Sequence, residues 1–430
     1  MATTAPDMRL GNPYTVPLAF VLVAGALAAC SIDASPNDGG LAGATGTAGA
    51  AATAGGNGSA GSPGAAGALP TAGSTPGGNS NGGAGNTAGS PAAGASTGGT
   101  MAGTGGATGG TSNGGSASGG SAPVGVSGLP VPPGAANVPK PSGTATKITV
   151  THWAGFKGAV SYSFDDDNTS QIQSYSQLNA LGVPFTFFMW TGKSEASNAI
   201  WKTAYKDGHE IANHTKSHQS AGTAEDIQAA TTFITEQFGT RPWSLAAPNG
   251  AAIYSTLTKG KFFINRGVAN GLIGPGDNSD PFTLPTYIPP TGASTANFNS
   301  EVDAARTAGK WRTMCIHGFT GDASAYQPVP LDQFIESVKH AKSTGDMWIG
   351  TISNVGAYWL GEKAFGSATT MTVGADKTWT WKLPDQFPTG HYLRVTVDGG
   401  TLKQGGATLN WDPHGYYEIA LDAGSVTLSP

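Results

Sequence analysis

Between Thr146 and Trp359 the apolar residues switch repeatedly between two periods. Gly158–Phe164 (GAVSYSF) reads as a strand, and Ser170–Leu181 follows with Ile172, Tyr175, Leu178 and Leu181 spaced for one helical face. Val183–Trp190 (VPFTFFMW) is almost continuously apolar, as a strand buried on both faces requires. The series continues with a helix near Asn198–Lys206, a short strand at His209–Asn213 and a helix that aligns Ile227, Ala230, Ile234 and Phe238. Strands are predicted again at Pro242–Pro248, Lys261–Val268 and Trp311–Phe319. A helix with Leu331, Phe334, Ile335 and Val338 inward, a strand at Asp346–Ile352 and a helix opening at Asn354 complete it. Strand–helix alternation argues for a parallel sheet covered by helices. About seven such units in roughly 215 residues favour a distorted (β/α) barrel, an α/β fold, over an open doubly wound sheet.

After Phe365 the pattern shortens. KTWTWKL, YLRVTVDGG, TLNWD, YYEIALD and SVTLSP alternate and are broken by turn residues, which predicts a small all-β, sandwich-like domain over 363–430. Before Thr146 periodicity is absent. Gly39–Pro139 contains no charged, aromatic or histidine residue, so it cannot bury enough apolar surface to offset chain entropy. Residues 30–145 are therefore expected to be a disordered tether, with a mean reach of about 55 Å for roughly 100 residues. Val16–Cys30 is apolar but too short to span a bilayer, and Arg9 precedes it. Leu27-Ala28-Ala29-Cys30 looks like a bacterial lipobox. The resemblance implies a signal peptide over 1–29, lipidation of Cys30, and, with Ser31 next, anchorage to the outer membrane or cell surface.

The net charge is -5 and no basic stripe is present, which argues against nucleic acid as a partner. The two cysteines are Cys30 and Cys315. With Cys30 lipidated, Cys315 has no partner and no disulfide is expected.

Polar clusters fall at the C-terminal ends of predicted strands: Asp165-Asp166-Asp167, the pair His214 and His218, and His317. In a β/α barrel that end carries the active site. Two histidines at i, i+4 share a face if they lie on a helical turn, and one carboxylate from a neighbouring loop would complete a two-His, one-carboxylate site with an open position. Two solvated histidines on a helix have the same spacing; the adjacent row of aspartates favours a divalent cation.

These stretches resemble motifs of the polysaccharide deacetylases, carbohydrate esterase family four. SFDDD is similar to the family's TFDDG, GHEIANHTKSH to its HxxxH motif with the lead-in, CIHGF to its LxH motif, and MWIGTISNVGAYW to its closing strand and helix. The resemblance spans roughly Lys157 to Trp359 and covers residues 146–362 as a catalytic domain. It implies Asp165 as general base, Asp166, His214 and His218 as metal ligands, His317 as general acid and the backbone N–H of Asn249 as oxyanion donor. It further implies a divalent metal, zinc by default with cobalt or nickel compatible, and an acetylated polysaccharide as substrate, deacetylated at N or O.

The chain departs from the family pattern at four places. Asp167 replaces the motif glycine, as a turn residue or a third metal carboxylate. The third motif reads Ala246-Ala247-Pro248-Asn249-Gly250 and lacks its arginine, for which Arg266 on another strand is a candidate. The Asp-Trp motif is not visible, although Asp277 and Asp280 lie in its interval. Cys315 replaces a leucine. The alternative to an enzyme is a catalytically impaired glycan-binding lipoprotein on the same fold.

Overall fold

The computed structural model describes residues 127–430. The signal peptide, Cys30 and most of the expected tether lie outside the described residues. In chain order the strands are β1 Ile148–Val150, β2 Gly158–Asp165, β3 Thr186–Met189, β4 Glu210–Asn213, β5 Ser244–Ala246, β6 Ile264–Arg266, β7 Trp311–Ile316 and β8 Met347–Ile349. They continue with β9 Thr369–Val373, β10 Asp376–Thr380, β11 Tyr392–Val397, β12 Thr401–Gln404, β13 Ala407–Thr408, β14 Tyr417–Ala420 and β15 Ser425–Ser429. The helices are α1 Thr169–Asn179, α2 Ile200–Lys206, α3 Ala224–Phe238, α4 Ile253–Leu257, α5 Thr295–Ala308, α6 Leu331–Ser343 and α7 Ile352–Gly366.

β2 to β8 form one seven-stranded parallel sheet. β6, β5, β4, β3, β2 and β7 are neighbours in that order, and β8 pairs with the first residues of β2. Residues 284–287 close the ring between β6 and β7: Leu284 N–H donates to Asn265 O and Tyr287 N–H to Thr313 O. This is the distorted barrel that the alternation predicted. Side-chain parity sorts the layers. Val160, Tyr162 and Phe164 of β2 face outward with Phe187, Met189, Met314 and Ile316, where α1, α5 and α6 cover them. The alternate positions of β2 are Ala159, Ser161, Ser163 and Asp165, all buried. Small side chains at the lower levels leave room inside, and the same period delivers Asp165 to the top rim.

α5 was not foreseen in the sequence. Its signals are local: Ser294 and Asn297 form a capping box, Gly309 ends it in the left-handed conformation, and Phe298, Val302 and Ala305 form its buried stripe. α7 is buried on nearly every face, as an all-round apolar helix must be. A Cβ at Gly356 would overlap Ile264 of the barrel, and one at Gly361 would overlap Leu421 of the β-region. The two glycines thus let one helix pack closely on both sides. Glu210 accepts from the backbone N–H of Ser353 and from Thr186 and Ser353 hydroxyls, fixing the start of α7 under the barrel.

The C-terminal residues form two sheets, β1-β11-β14 and β13-β12-β15-β10-β9, that share one apolar core with α7. Trp379, Trp381, Tyr416 and Tyr417 are buried, while Trp411 is half-buried and donates to Val138 O. Two boundaries differ from the sequence reading. β1 pairs antiparallel with β11, so the first residues of the expected catalytic domain, 146–150, belong with the C-terminal sheets. Residues 127–145, expected as tether, lie against those sheets: Ser127 donates to Glu418, and Thr146 N–H just beyond them to Asp398. Arg394 holds this junction. It is fully buried and donates to the carbonyls of Leu129, Pro130 and Ala154 and to Glu418 Oε1 at 3.1 Å, and its guanidinium lies 4.3 Å from the ring centroid of Tyr416.

Arg394→Met removes the donor to three carbonyls and leaves Glu418 with Ser127 alone. The expected cost is about 3–5 kcal/mol, read from urea unfolding of the wild type and the variant. A loss under about 1 kcal/mol would show that the junction contributes little.

Candidate metal centre and active site

Five strand ends deliver the site. Asp165 ends β2 and sits in register with Phe188 of β3. Asp166 and Asp167 follow in left-handed conformations, φ 77° and 53°, and form a tight turn. His214 follows β4, and its N–H donates to Met189 O at 2.9 Å. The turn to His218 is not helical, contrary to the expectation from the i, i+4 spacing. Thr215 and His218 both have positive φ. Asn213 Oδ1 accepts from Thr215 N–H at 2.7 Å, while Asn213 Nδ2 donates to Ile227 O and Thr231 Oγ1 on α3. Thr215 Oγ1 then accepts from His218 N–H at 3.0 Å. Side-chain to backbone bonds, rather than a helical ladder, bring the two rings together.

His214 Nδ1 is 2.9 Å from Ala246 O, so the ring donates there and presents the Nε2 lone pair inward. The Nε2 atoms of His214 and His218 are 3.1 Å apart, and Asp166 Oδ1 is 3.4 and 3.5 Å from them. A tetrahedral ion with bonds of about 2.0–2.1 Å needs ligand edges of about 3.3–3.4 Å. Asp166 Oδ1 is also buried without a hydrogen-bond partner. The three residues fit a divalent cation in donor type, spacing and lack of other partners. Trp190 stacks on His218 with ring centroids 4.6 Å apart and supports its outer face.

Asp165 is paired with Arg266. The guanidinium contacts Oδ2 and lies over Phe188, and both side chains are almost wholly buried. Ala246 and Arg266 are register partners on β5 and β6, so the cation comes from the residue beside the one where the family motif has it. Burial alone would raise the Asp165 carboxyl; Arg266 above all, then His214 and His317, hold it well below the usual carboxylate range. His317 Nε2 is 3.9 Å from Asp165 Oδ2, and its ring meets Tyr326 edge-on at 5.2 Å. Burial lowers the His317 imidazole below its ordinary value, against the pull of Asp165 and Asp166.

The remaining expectations separate. Asp167 is a turn residue and does not join the converging ligand atoms. Burial pushes its carboxyl well above the usual range, which relieves the repulsion that three adjacent carboxylates would otherwise suffer. Lys193 spans the same turn, donating to Asp166 O at 2.8 Å and Asn168 Oδ1 at 2.7 Å. Asn249, with φ 52°, flanks the histidine turn, its side-chain amide 3.4 Å from His218 O. Asp277 and Asp280 cap local turns through backbone N–H groups and lie outside the site. His209 is a satisfied core residue, 3.0 Å from Phe185 N and 3.3 Å from Asn179 Oδ1. Lys193 and Trp190 were missed by the sequence reading; their only signal is position, directly after a buried strand.

Residues 155–261 match the family model described as polysaccharide deacetylase. No curated protein matches the chain. Among solved structures, a putative polysaccharide deacetylase from Mycobacterium smegmatis is 16% identical, over 52% of this chain and 96% of that one, with a TM-score of 0.40. The catalytic domain of a peptidoglycan N-acetylglucosamine deacetylase from Eubacterium rectale is 15% identical over 49% and 92%, TM-score 0.33. A family 4 acetyl xylan esterase from Clostridium thermocellum, in complex with cobalt, is 16% identical over 46% and 89%, TM-score 0.30.

Arg266→Met removes the chief influence that keeps Asp165 ionised. Burial then prevails, the carboxyl pKa rises, and the carboxylate is lost as pH falls through the raised value. The titration midpoint of the Asp165 carboxyl, followed by carbon-13 NMR on the metal-free protein, should move to higher pH. A profile that superimposes on the wild type would remove Arg266 from this role.

Proposed function

We propose that this chain, which carries a polysaccharide deacetylase domain over residues 155–261, is a metal-dependent hydrolase that removes acetyl groups from a polysaccharide. The triangle of Asp166, His214 and His218 beside the Asp165–Arg266 pair carries the reading. Those three residues would hold the ion, which when bound supplies Lewis acidity and an acidified water. Zinc suits the ligands, and cobalt or nickel would also.

The chain's own groups divide the rest of the work. Asp165 is ionised and accepts a proton from the attacking water. Arg266 fixes that carboxylate's orientation while leaving Oδ1 free of partners. His317, with Nε2 3.9 Å from Asp165 Oδ2, is the general acid that protonates the departing amine or alkoxide. The backbone N–H of Asn249 stabilises the oxyanion. Trp190 and Tyr326 flank the two histidines that face the opening, and their rings offer faces for a sugar. The impaired-binder alternative rested on the missing arginine at Ala246 and on the missing Asp-Trp motif; the Asp165–Arg266 pair speaks against the first of these grounds.

Acetate release is the direct test. Full-length protein loaded with zinc should release acetate from an N-acetylglucosamine polymer or an acetylated xylan, and a chelator should abolish it. Asp165→Asn should keep its metal and lose about 10²–10⁴-fold in kcat. Metal-loaded protein that releases no acetate from either polymer would sink the proposal.

The reading extends to location. Cleavage before Cys30 and lipidation of its sulfur would anchor the enzyme at the cell surface on its low-complexity tether. Cys30→Ser should move the protein from the membrane fraction to the soluble fraction. Retention in the membrane would refute the anchor.

A further inference from the structure

Beside the ligand triangle lies a second set of donor atoms. Cys315 is the last inward residue of β7, in register with Ser163 of β2. Its thiol is free and fully buried, with Sγ 3.8 Å from His317 Nε2. That same nitrogen is 3.9 Å from Asp165 Oδ2, and one ligand atom from each of Asp165, Cys315 and His317 lies within 4.8 Å of the others. Asp165 Oδ1 is buried without a hydrogen-bond partner, because Arg266 engages the other oxygen. Packing alone would be served by a hydrocarbon at position 315. A sulfur, an imidazole and a half-free carboxylate together make a donor set suited to borderline and soft divalent ions.

We propose that Asp165, Cys315 and His317 form a second metal site, which fills when such an ion is in excess and switches the enzyme off. On binding, the Cys315 S–H bond breaks, its proton leaves to solvent and a metal–sulfur bond forms; nothing is oxidised or reduced. With bonds of about 2.3 Å to sulfur and 2.0–2.1 Å to nitrogen, a tetrahedral ion needs a sulfur–nitrogen edge of about 3.6 Å. The observed edge of 3.8 Å is close to this. Thiolate and carboxylate together balance the ion's two charges, and Arg266 can keep its hold on Oδ2. Its guanidinium makes this the weaker of the two sites, so the triangle fills first. Inhibition follows because the ion occupies the atoms of Asp165 and His317 that accept and donate protons. That consequence rests on the proposed function; the binding itself does not.

Cobalt(II) is the probe, titrated into metal-free full-length protein. The first equivalent, held by nitrogen and oxygen, should give visible d–d bands alone. The second should add a thiolate-to-cobalt charge-transfer band in the near ultraviolet, and acetate release should fall in step with it. Cys315→Ser and Cys315→Ala should keep the first set of bands and lose the charge-transfer band. Their inhibition should need at least about tenfold more cobalt. No charge-transfer band in the wild type at several equivalents would overturn the site, whether or not the protein is active. A band with undiminished acetate release would overturn the switch. Protein that shows the band but releases no acetate at any loading would support the site and count against the proposed function alone.

Discussion

The pairing of Asp165 with Arg266 is the constraint around which the site is arranged. A carboxylate at the top of a closed barrel loses the hydration that keeps it charged, and a guanidinium buried there alone would be still more costly. Each makes the other tolerable, and both are almost inaccessible. The pair settles the ionisation of Asp165 before any ligand arrives. It also uses only one carboxylate oxygen, which leaves the other available for chemistry. Around it the polar groups are held by the backbone. His214 is turned by the Ala246 carbonyl, and His218 by a turn that Asn213 and Thr215 bond into shape.

Much of this was legible in the sequence because it depends on period and position. Seven apolar segments, with helices in four of the six gaps between them, favoured a parallel barrel over an open sheet, and in a barrel the polar residues directly after those segments share a rim. The alternation of Ser161, Ser163 and Asp165 against Tyr162 and Phe164 states which side chains point inward. Asp165, Asp166, His214, His218 and His317 do converge, as the motifs implied. Arg266 was visible as a strand-end cation, but only the pairing of β5 with β6 makes it the neighbour of Ala246.

What escaped the sequence depends on contacts between distant segments or on side-chain bonds to the backbone. The HxxxH spacing suggested a helical turn, yet Asn213 and Thr215 supply the hydrogen bonds that a helix would otherwise provide, and the backbone takes left-handed steps instead. Helix α5 has its caps in the sequence but a polar composition that hid its stripe. β1 carries no mark of its partner, because antiparallel pairing with β11 is decided by a strand far along the chain.

That last pairing has a kinetic meaning. Ile148 lies opposite Val397, a separation of roughly 250 residues, and the same span joins Leu129 and Pro130 to Arg394. The described part of the chain is thus closed by its final strands. During synthesis the barrel strands can assemble as they appear, but β1 and the segment before it must wait, unpaired, until the final strands exist. Contacts of such long range make closure slow and leave an open strand edge in the interval, a liability for aggregation. Any truncation at the apparent domain boundary, near residue 362, would make that interval permanent.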